Sequence, residues 1–393
     1  MSYKTGDELE IIVKKIVPRG LGLGFAEKLT VFVPLTAAGD NVRVRLNEVK
    51  GKIAFAEAVN VIEPSPDRVK PPCPYFGVCG GCDFQQMTYA AQLEAKLGII
   101  RDCLHRIGKI EYEGEIKMIG SPREFAYRSR AQWHIDTRAK KIGYFKRASH
   151  EVIDIAQCPI LVPELEQTLV ELRETVEWES FWAERLEIEA ASSGSDQVSI
   201  YGEELIEPTD EIFFTAAGER YYYSARSFFQ GNQFLVESLI ETAIGDARGI
   251  RALDLYCGVG LFSLPLAKRF DQVMGVEGNE TAIEFAEKNA GNARLHNIKF
   301  AVGAVGEFLK ETNLEGTDLV LLDPPRAGTE KGVIETLVKM KPKQISYVSC
   351  EPSILARDLR VFLDNGYRID SITALDLFPQ THHIETIVRM SSS

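Results

Sequence analysis

The sequence predicts an α/β domain with a doubly wound sheet in its C-terminal half, an antiparallel OB-like barrel at its start, and a mixed α+β region between them. Three observations carry this. From Ala252 onward short apolar runs alternate with helical patterns, as parallel strands joined by crossover helices require. Residues 1–62 instead hold short β-branched runs separated by glycines. At 393 residues the chain also exceeds one compact domain.

Composition narrows the class. A hydrophobic content of 45% with 26% charged residues describes an ordinary globular protein able to bury a large core. No apolar run approaches the roughly 18 residues of a membrane span, and residues 1–8 lack a secretory signal pattern, so no membrane partner and a cytoplasmic location are expected. Seven cysteines, an odd number, then read as ligands or catalysts rather than a disulfide framework. The net charge of −12 argues against a general polyanion-binding coat, but nucleic acid needs only a local basic face.

In chain order, the barrel strands are expected near Leu9–Val13, Leu29–Val33, Val42–Leu46 and Ile53–Ala58, with the linker Glu63-Pro64-Ser65-Pro66 after them. Cys73, Cys79 and Cys82 follow in C-x5-C-x2-C spacing, with Gly80 and Gly81 to bend the backbone. A fourth ligand must come from elsewhere. Cys158, followed by a proline and outside any clear helix, is the candidate. Four thiolates suit zinc or an iron–sulfur cluster, and the uneven spacing favours [4Fe-4S]. Apolar spacing places a helix over 89–107, where Cys103 is a packing residue. The stretch Arg123–His150 carries eight Lys or Arg against two acids, with aromatics interleaved. Cations for phosphates and rings for unstacked bases make Arg128, Arg130, Trp133, Lys146 and Arg147 the RNA-binding candidates. One helix is expected over 161–186.

The chemistry concentrates further on. Ala252–Tyr256 reads as a strand breaking into Cys257-Gly258-Val259-Gly260 before a helix, and the next strand ends in Glu277, about 20 residues after the turn. Gly258 and Gly260 let backbone amides approach a nucleoside, and Glu277 can accept both ribose hydroxyls. Two later strands end in Asp323-Pro324-Pro325-Arg326 and Ser349-Cys350, so Asp323 and Cys350 share the rim where strand ends line a ligand crevice. Glu385 opens the last strand, where a partly desolvated carboxylate can act as a base. Carbon 5 of uracil is too weak a nucleophile for a methyl sulfonium until a thiolate adds at carbon 6. A thiolate and a base at one rim supply that chemistry.

The pattern Asp254-Leu255-Tyr256-Cys257-Gly258-Val259-Gly260 resembles the first motif of class I S-adenosylmethionine methyltransferases, and Gly20–Ala26 with the strand after it resembles a TRAM domain. Over its full length the chain resembles the RNA uracil-5-methyltransferase family, in particular its iron–sulfur, TRAM-containing ribosomal-RNA branch. The cysteine set, Phe229-Gln230-Gly231-Asn232, Asp323-Pro324-Pro325-Arg326, Ser349-Cys350 and His383-Ile384-Glu385-Thr386 carry the likeness. The resemblance implies Cys350 as nucleophile, Glu385 as the carbon-5 base, and Gln230, Tyr256, Glu277 and Asp323 as cofactor or uracil contacts. Leu261 stands where relatives often carry a polar residue, so its contact is expected through the backbone. Ala304 stands where an acid or amide often meets the adenine amine.

The expected domains are the TRAM-like barrel over 1–62, a central iron–sulfur and RNA-binding domain over 63–88 and 121–225, and a methyltransferase domain over 89–120 and 226–393. A monomer acting on ribosomal RNA is expected, with transfer RNA as the alternative substrate. Methylation of an exocyclic amine would need no thiolate and usually has an aromatic where Arg326 stands. A cytosine-5 methyltransferase or a non-catalytic RNA-binding relic fits the motifs around Cys350 and Glu385 less well.

Overall fold

The computed structural model describes residues 3–195, 197–204, 210–312 and 315–392. Strands β1 (Glu8–Val17), β2 (Leu21–Ala26), β3 (Leu29–Val33), β4 (Asn41–Lys50) and β5 (Ile53–Glu63) close a barrel in the order β1-β2-β3-β5-β4. Along β4 the alternation is read directly: Val42, Val44 and Leu46 fill the barrel, while Arg43 and Arg45 point out to Glu10 and Glu8. The glycine-rich segment Gly20–Ala26 contributes the strand β2 itself. A Cβ at Gly24 would meet Ile11 and the Ile12 carbonyl at 2.9 Å, so glycine allows the close approach of β2 to β1.

Helix α1 (Tyr89–Cys103) is capped by Thr88, whose hydroxyl accepts from the Ala91 amide, and it ends before the π-turn Leu104–Gly108. The chain then adds β6 (Ile116–Ile119) to the edge of the large sheet before entering a five-stranded antiparallel sheet. That sheet comprises β7 (Arg130–Asp136), β8 (Lys141–Phe145), β9 (Val152–Asp154), β10 (Arg185–Ser192) and β11 (Val198–Tyr201). Helix α2 (Pro163–Thr175) covers it, with Trp133, Leu165, Leu169 and Ile188 in the core between. The single helix expected over 161–186 is therefore shorter. From Arg185 the chain pairs with β7, Arg185 opposite Asp136, and this pairing overrides the helical propensity of the Ala183–Leu186 stretch.

The hairpin of β12 (Ile212–Ala216) and β13 (Glu219–Tyr223) packs against the C-terminal domain and also touches the central sheet, where the Tyr223 hydroxyl donates to the Ser192 carbonyl of β10 at 3.0 Å. Tyr221 and Tyr223 share a core with Phe229 and Phe262. Helix α3 (Val236–Ile244) leads into β14 (Gly249–Leu255), α4 (Ser263–Ala267), β15 (Phe270–Glu277), α5 (Glu280–Asn292), β16 (Ile298–Val302), α6 (Val305–Glu311), β17 (Leu319–Leu322), α7 (Val333–Met340), β18 (Gln344–Ser349), α8 (Pro352–Asp364), β19 (Tyr367–Leu375) and β20 (Glu385–Ser392). The eight-stranded sheet runs β16-β15-β14-β17-β18-β20-β19-β6, parallel except for β20. Among the described residues no helix is long and apolar enough to cross a membrane.

Candidate active site

Strand register brings the chemistry to one rim. Leu255 lies opposite Val276 and Leu322, and Leu322 opposite Tyr347, so Tyr256, Glu277, Asp323 and Cys350 all follow neighbouring parallel strands. Because β20 is antiparallel, its first residues lie at the same end, with Thr386 opposite Ser349 and Glu385 opposite Leu375. Reversing one strand is what delivers a carboxylate to a thiol from a distant part of the chain.

One side of the rim is built on left-handed backbone. Tyr256 stands at φ 65°, Gly258 at φ 52° and Gly260 at φ 86°, and the Gly258 amide donates to Glu277 Oε2 at 3.1 Å. The Asn279 amide holds the other Glu277 oxygen at 2.9 Å. Gln230, Tyr256, Gly258, Leu261 and Asp323 line one narrow cavity. Leu261 is buried, and its carbonyl already accepts from the Tyr221 hydroxyl at 3.2 Å. The Gln230 loop is fastened to the central sheet, where the Ser129 amide donates to the Gly231 carbonyl at 2.8 Å and Asn232 Nδ2 donates to Ser121 Oγ at 3.1 Å. Behind the cavity Asp254 is buried, with Oδ2 accepting from Ser263 Oγ at 2.5 Å.

The electrostatics of the rim are those of crowded carboxylates. Burial, reinforced by Asp254 and Glu277, raises the Asp323 carboxyl to about 7. Burial and then Asp323 push Glu385 well above the ordinary range, against the pull of Arg326. Among the described residues Glu385 Oε1 has no hydrogen-bond partner. Burial, followed by the Glu385 charge, raises the Cys350 thiol to about 12, while the Arg326 cation works the other way. Helix α8 starts just beyond, capped by Glu351, whose Oε1 accepts from the Ser353 amide at 3.3 Å. Arg326 was legible only as part of a motif. Its effect on the thiol depends on the turn after Pro325.

The four predicted cysteine ligands are brought together: Cys73, Cys79, Cys82 and Cys158 line one cavity of about 390 Å³ with Tyr75, Tyr144, Arg128 and Arg326. Burial raises Cys82 to about 12 and Cys158 to about 11. Among the described residues no group of three His, Cys, Asp or Glu is disposed to hold a metal ion as it stands. The donor chemistry nonetheless fits a thiolate-bound group, with the part-buried Arg128 cation at hand. Cys103 packs in the core and takes no part.

The RNA-binding candidates divide. Trp133 is completely buried and offers no ring face to a base. Arg130 donates to the carbonyls of Ser227 and Ala225 at 2.5 and 3.1 Å, holding the loop before Gln230. Arg147 is engaged by Asp83 and by the Cys82 carbonyl, and Arg128 by the Arg130 carbonyl and the cysteine cavity. Lys146, half exposed and 3.5 Å from Glu151, keeps its charge at the surface.

Fold and rim together define an S-adenosylmethionine-dependent methyltransferase. The profile of the tRNA (uracil-5-)-methyltransferase family matches residues 203–393, and that of the TRAM domain of tRNA (uracil(54)-C(5))-methyltransferase matches residues 9–66. The 23S rRNA (uracil(1939)-C(5))-methyltransferase of Pectobacterium atrosepticum is 33% identical over 96% of this chain and 92% of its own. A Thermosynechococcus vestitus protein described as an RNA methyltransferase is 30% identical over 100% of this chain and 99% of its own. The crystal structure of Pyrococcus abyssi tRNA (uracil-54, C5)-methyltransferase with S-adenosyl-L-homocysteine superposes with a TM-score of 0.75 at 27% identity, covering 97% of this chain and all of that one. The chain belongs to the RNA uracil-5-methyltransferase family.

Proposed function

We propose that the protein methylates carbon 5 of a uridine in 23S ribosomal RNA through a covalent adduct between Cys350 and uracil carbon 6. The observation that carries this reading is the register that sets the Cys350 thiol beside Glu385 and Asp323 at one rim. Cys350 gives its proton to solvent, Arg326 favouring the thiolate, and the sulfur adds to carbon 6 while the ring electrons move toward the carbon-4 carbonyl. S-adenosylmethionine, when bound, supplies the methyl group that carbon 5 accepts, and Gln230, Tyr256, Gly258, Gly260, Leu261, Glu277 and Asp323 are the residues that hold cofactor or uracil. Glu385, in its ionised form and made more basic by burial, removes the carbon-5 proton. The Cys350–carbon 6 bond then breaks and the thiolate returns.

Cys73, Cys79, Cys82 and Cys158 bind a [4Fe-4S] cluster in this reading, supported by their spacing, their shared cavity and the Arg128 cation. Ribosomal rather than transfer RNA is favoured by the ribosomal enzyme's 33% identity over nearly the whole chain, against 27% for the transfer-RNA enzyme. Mass spectrometry of 5-methyluridine in 23S ribosomal RNA and in transfer RNA, each incubated with the protein and S-adenosylmethionine, tests the assignment. Methylation of the ribosomal RNA alone is expected; methylation of transfer RNA alone refutes the substrate and leaves the chemistry.

A further inference from the structure

We propose that Asp83 is a positioning residue for the reaction, which together with His382 ties the cysteine loop to the segment carrying the carbon-5 base. The inference rests on the assignment of Glu385 as that base.

The starting point is how Glu385 is held. Its Oε1 is buried with no hydrogen-bond partner among the described residues, so backbone placement, rather than a local bond to that oxygen, fixes where it points. That placement comes from the start of β20 and from residues 376–384 before it, which cross from β19 without regular structure. The central anchor of the crossing is Gln380, at φ 68°. Its carbonyl accepts from the amides of Asp83 and Phe84 at 2.9 and 3.0 Å, one and two residues past the last cysteine of the C-x5-C-x2-C run.

Side chains repeat the connection. Asp83 Oδ1 accepts from Arg147 Nη1 at 2.8 Å, and Asp83 Oδ2 lies 2.6 Å from His382 Nδ1. Arg147 Nη2 in turn donates to the Cys82 carbonyl at 2.5 Å. The path from a cysteine ligand to a residue three positions before Glu385 is thus continuous: Cys82, Arg147, Asp83, His382. The barrel closes on the same point, because the Cβ position of Gly20 lies 3.0 Å from His382 Cβ and 3.2 Å from Phe84 Cε1. Loss of the Asp83 carboxylate would leave Arg147 and His382 without their common partner and free the crossing segment on this side, though Gln380 would still be held.

The expected defect is specific. If Glu385 is misplaced, the steps before proton removal proceed and the methylated adduct accumulates, whereas general damage would lower adduct and product together. A displacement of about 1 Å in a reacting group can cost up to about a hundredfold in rate. The test compares native protein, Asp83→Ala, His382→Ala and Glu385→Gln on a 23S ribosomal RNA transcript with S-adenosylmethionine. It reads kcat, KM for each substrate, protein–RNA adduct surviving a denaturing gel, and metal content per chain. The expected result is a kcat lowered about 10- to 100-fold, KM for S-adenosylmethionine unchanged within about twofold, and adduct rising toward the Glu385→Gln level with metal retained. Asp83 adjoins Cys82, so if Asp83→Ala loses metal, His382→Ala decides. Native kcat in His382→Ala, or a lowered kcat without adduct, overturns the link while leaving Glu385 as base. No adduct from Glu385→Gln overturns the base assignment itself, and the link with it.

Discussion

Lys96 on α1 and Asp376 at the end of β19 form an ion pair of 2.5 Å with both side chains completely buried, and Lys96 Nζ also donates to the Phe378 carbonyl at 3.0 Å. The pair clamps the segment leading to Glu385 onto α1. Burial lowers the Lys96 pKa against the pull of Asp376. Lys96→Met leaves Asp376 charged or protonated in an apolar setting, and breaking a fully buried pair this way costs about 3–5 kcal/mol. At about 1.4 kcal/mol per power of ten, amide-exchange protection over residues 372–388 should fall by roughly two to three and a half powers of ten. Hydrogen exchange read by mass spectrometry measures this locally, so cooperative unfolding of the whole chain need not be assumed. The double variant Lys96→Met/Asp376→Leu removes both charges and should recover most of the loss. A Lys96→Met protein protected to within threefold of native, or a double variant no better than the single, would show that the pair does not hold this segment.

The rim carboxyls set a pH dependence. Burial raises Asp254 and Asp323 to about 7, so their stabilising contribution is full below the unfolded carboxyl range and is lost as pH rises through about 7. A sulfonium ligand reverses the sign, because it prefers the ionised acids: affinity for S-adenosylmethionine should rise about tenfold from pH 6 to 8, and that for uncharged-sulfur S-adenosylhomocysteine less, as calorimetric titration would show. Cys82→Ser and Cys158→Ser should lose bound metal while Cys103→Ser, in the core, retains it, by elemental analysis of protein purified without oxygen. Trp133→Ala should lower stability by about 3–5 kcal/mol in urea unfolding without changing the salt dependence of RNA binding. Lys146→Ala should do the reverse, flattening the slope of log affinity against log salt by about 0.7.

Much of this site was legible because its residues follow strand ends, and strands at fixed spacing announce themselves. Tyr256, Glu277, Asp323 and Cys350 are each one or a few residues past an apolar run, so a parallel sheet places them together before any contact is known. That Cys73, Cys79, Cys82 and Cys158 would come together was legible from donor chemistry and spacing, Cys158 from the need for a fourth donor, and they line one cavity. What escaped depends on tertiary pairing. Trp133 reads as an exposed ring in a basic stretch, yet β-alternation turns it inward beside Ile188 on β10. Arg130, Arg128 and Arg147 are cations whose donors the fold itself engages, which composition cannot reveal. The Lys96–Asp376 pair and the Asp83–His382 bridge join residues 280 and 299 positions apart. No local signal encodes either.

The proposal that Cys350 is the nucleophile is tested most directly with RNA carrying 5-fluorouridine at the target position, since a base cannot remove fluorine as it removes a proton and the adduct must persist after methyl transfer. The protein is incubated with this RNA and S-adenosylmethionine, denatured, digested and mapped by mass spectrometry. A methylated fluorouridine on the peptide containing Cys350, absent from Cys350→Ala, is the predicted result. An adduct on another cysteine, or none with an enzyme that still methylates normal RNA, would contradict the covalent mechanism.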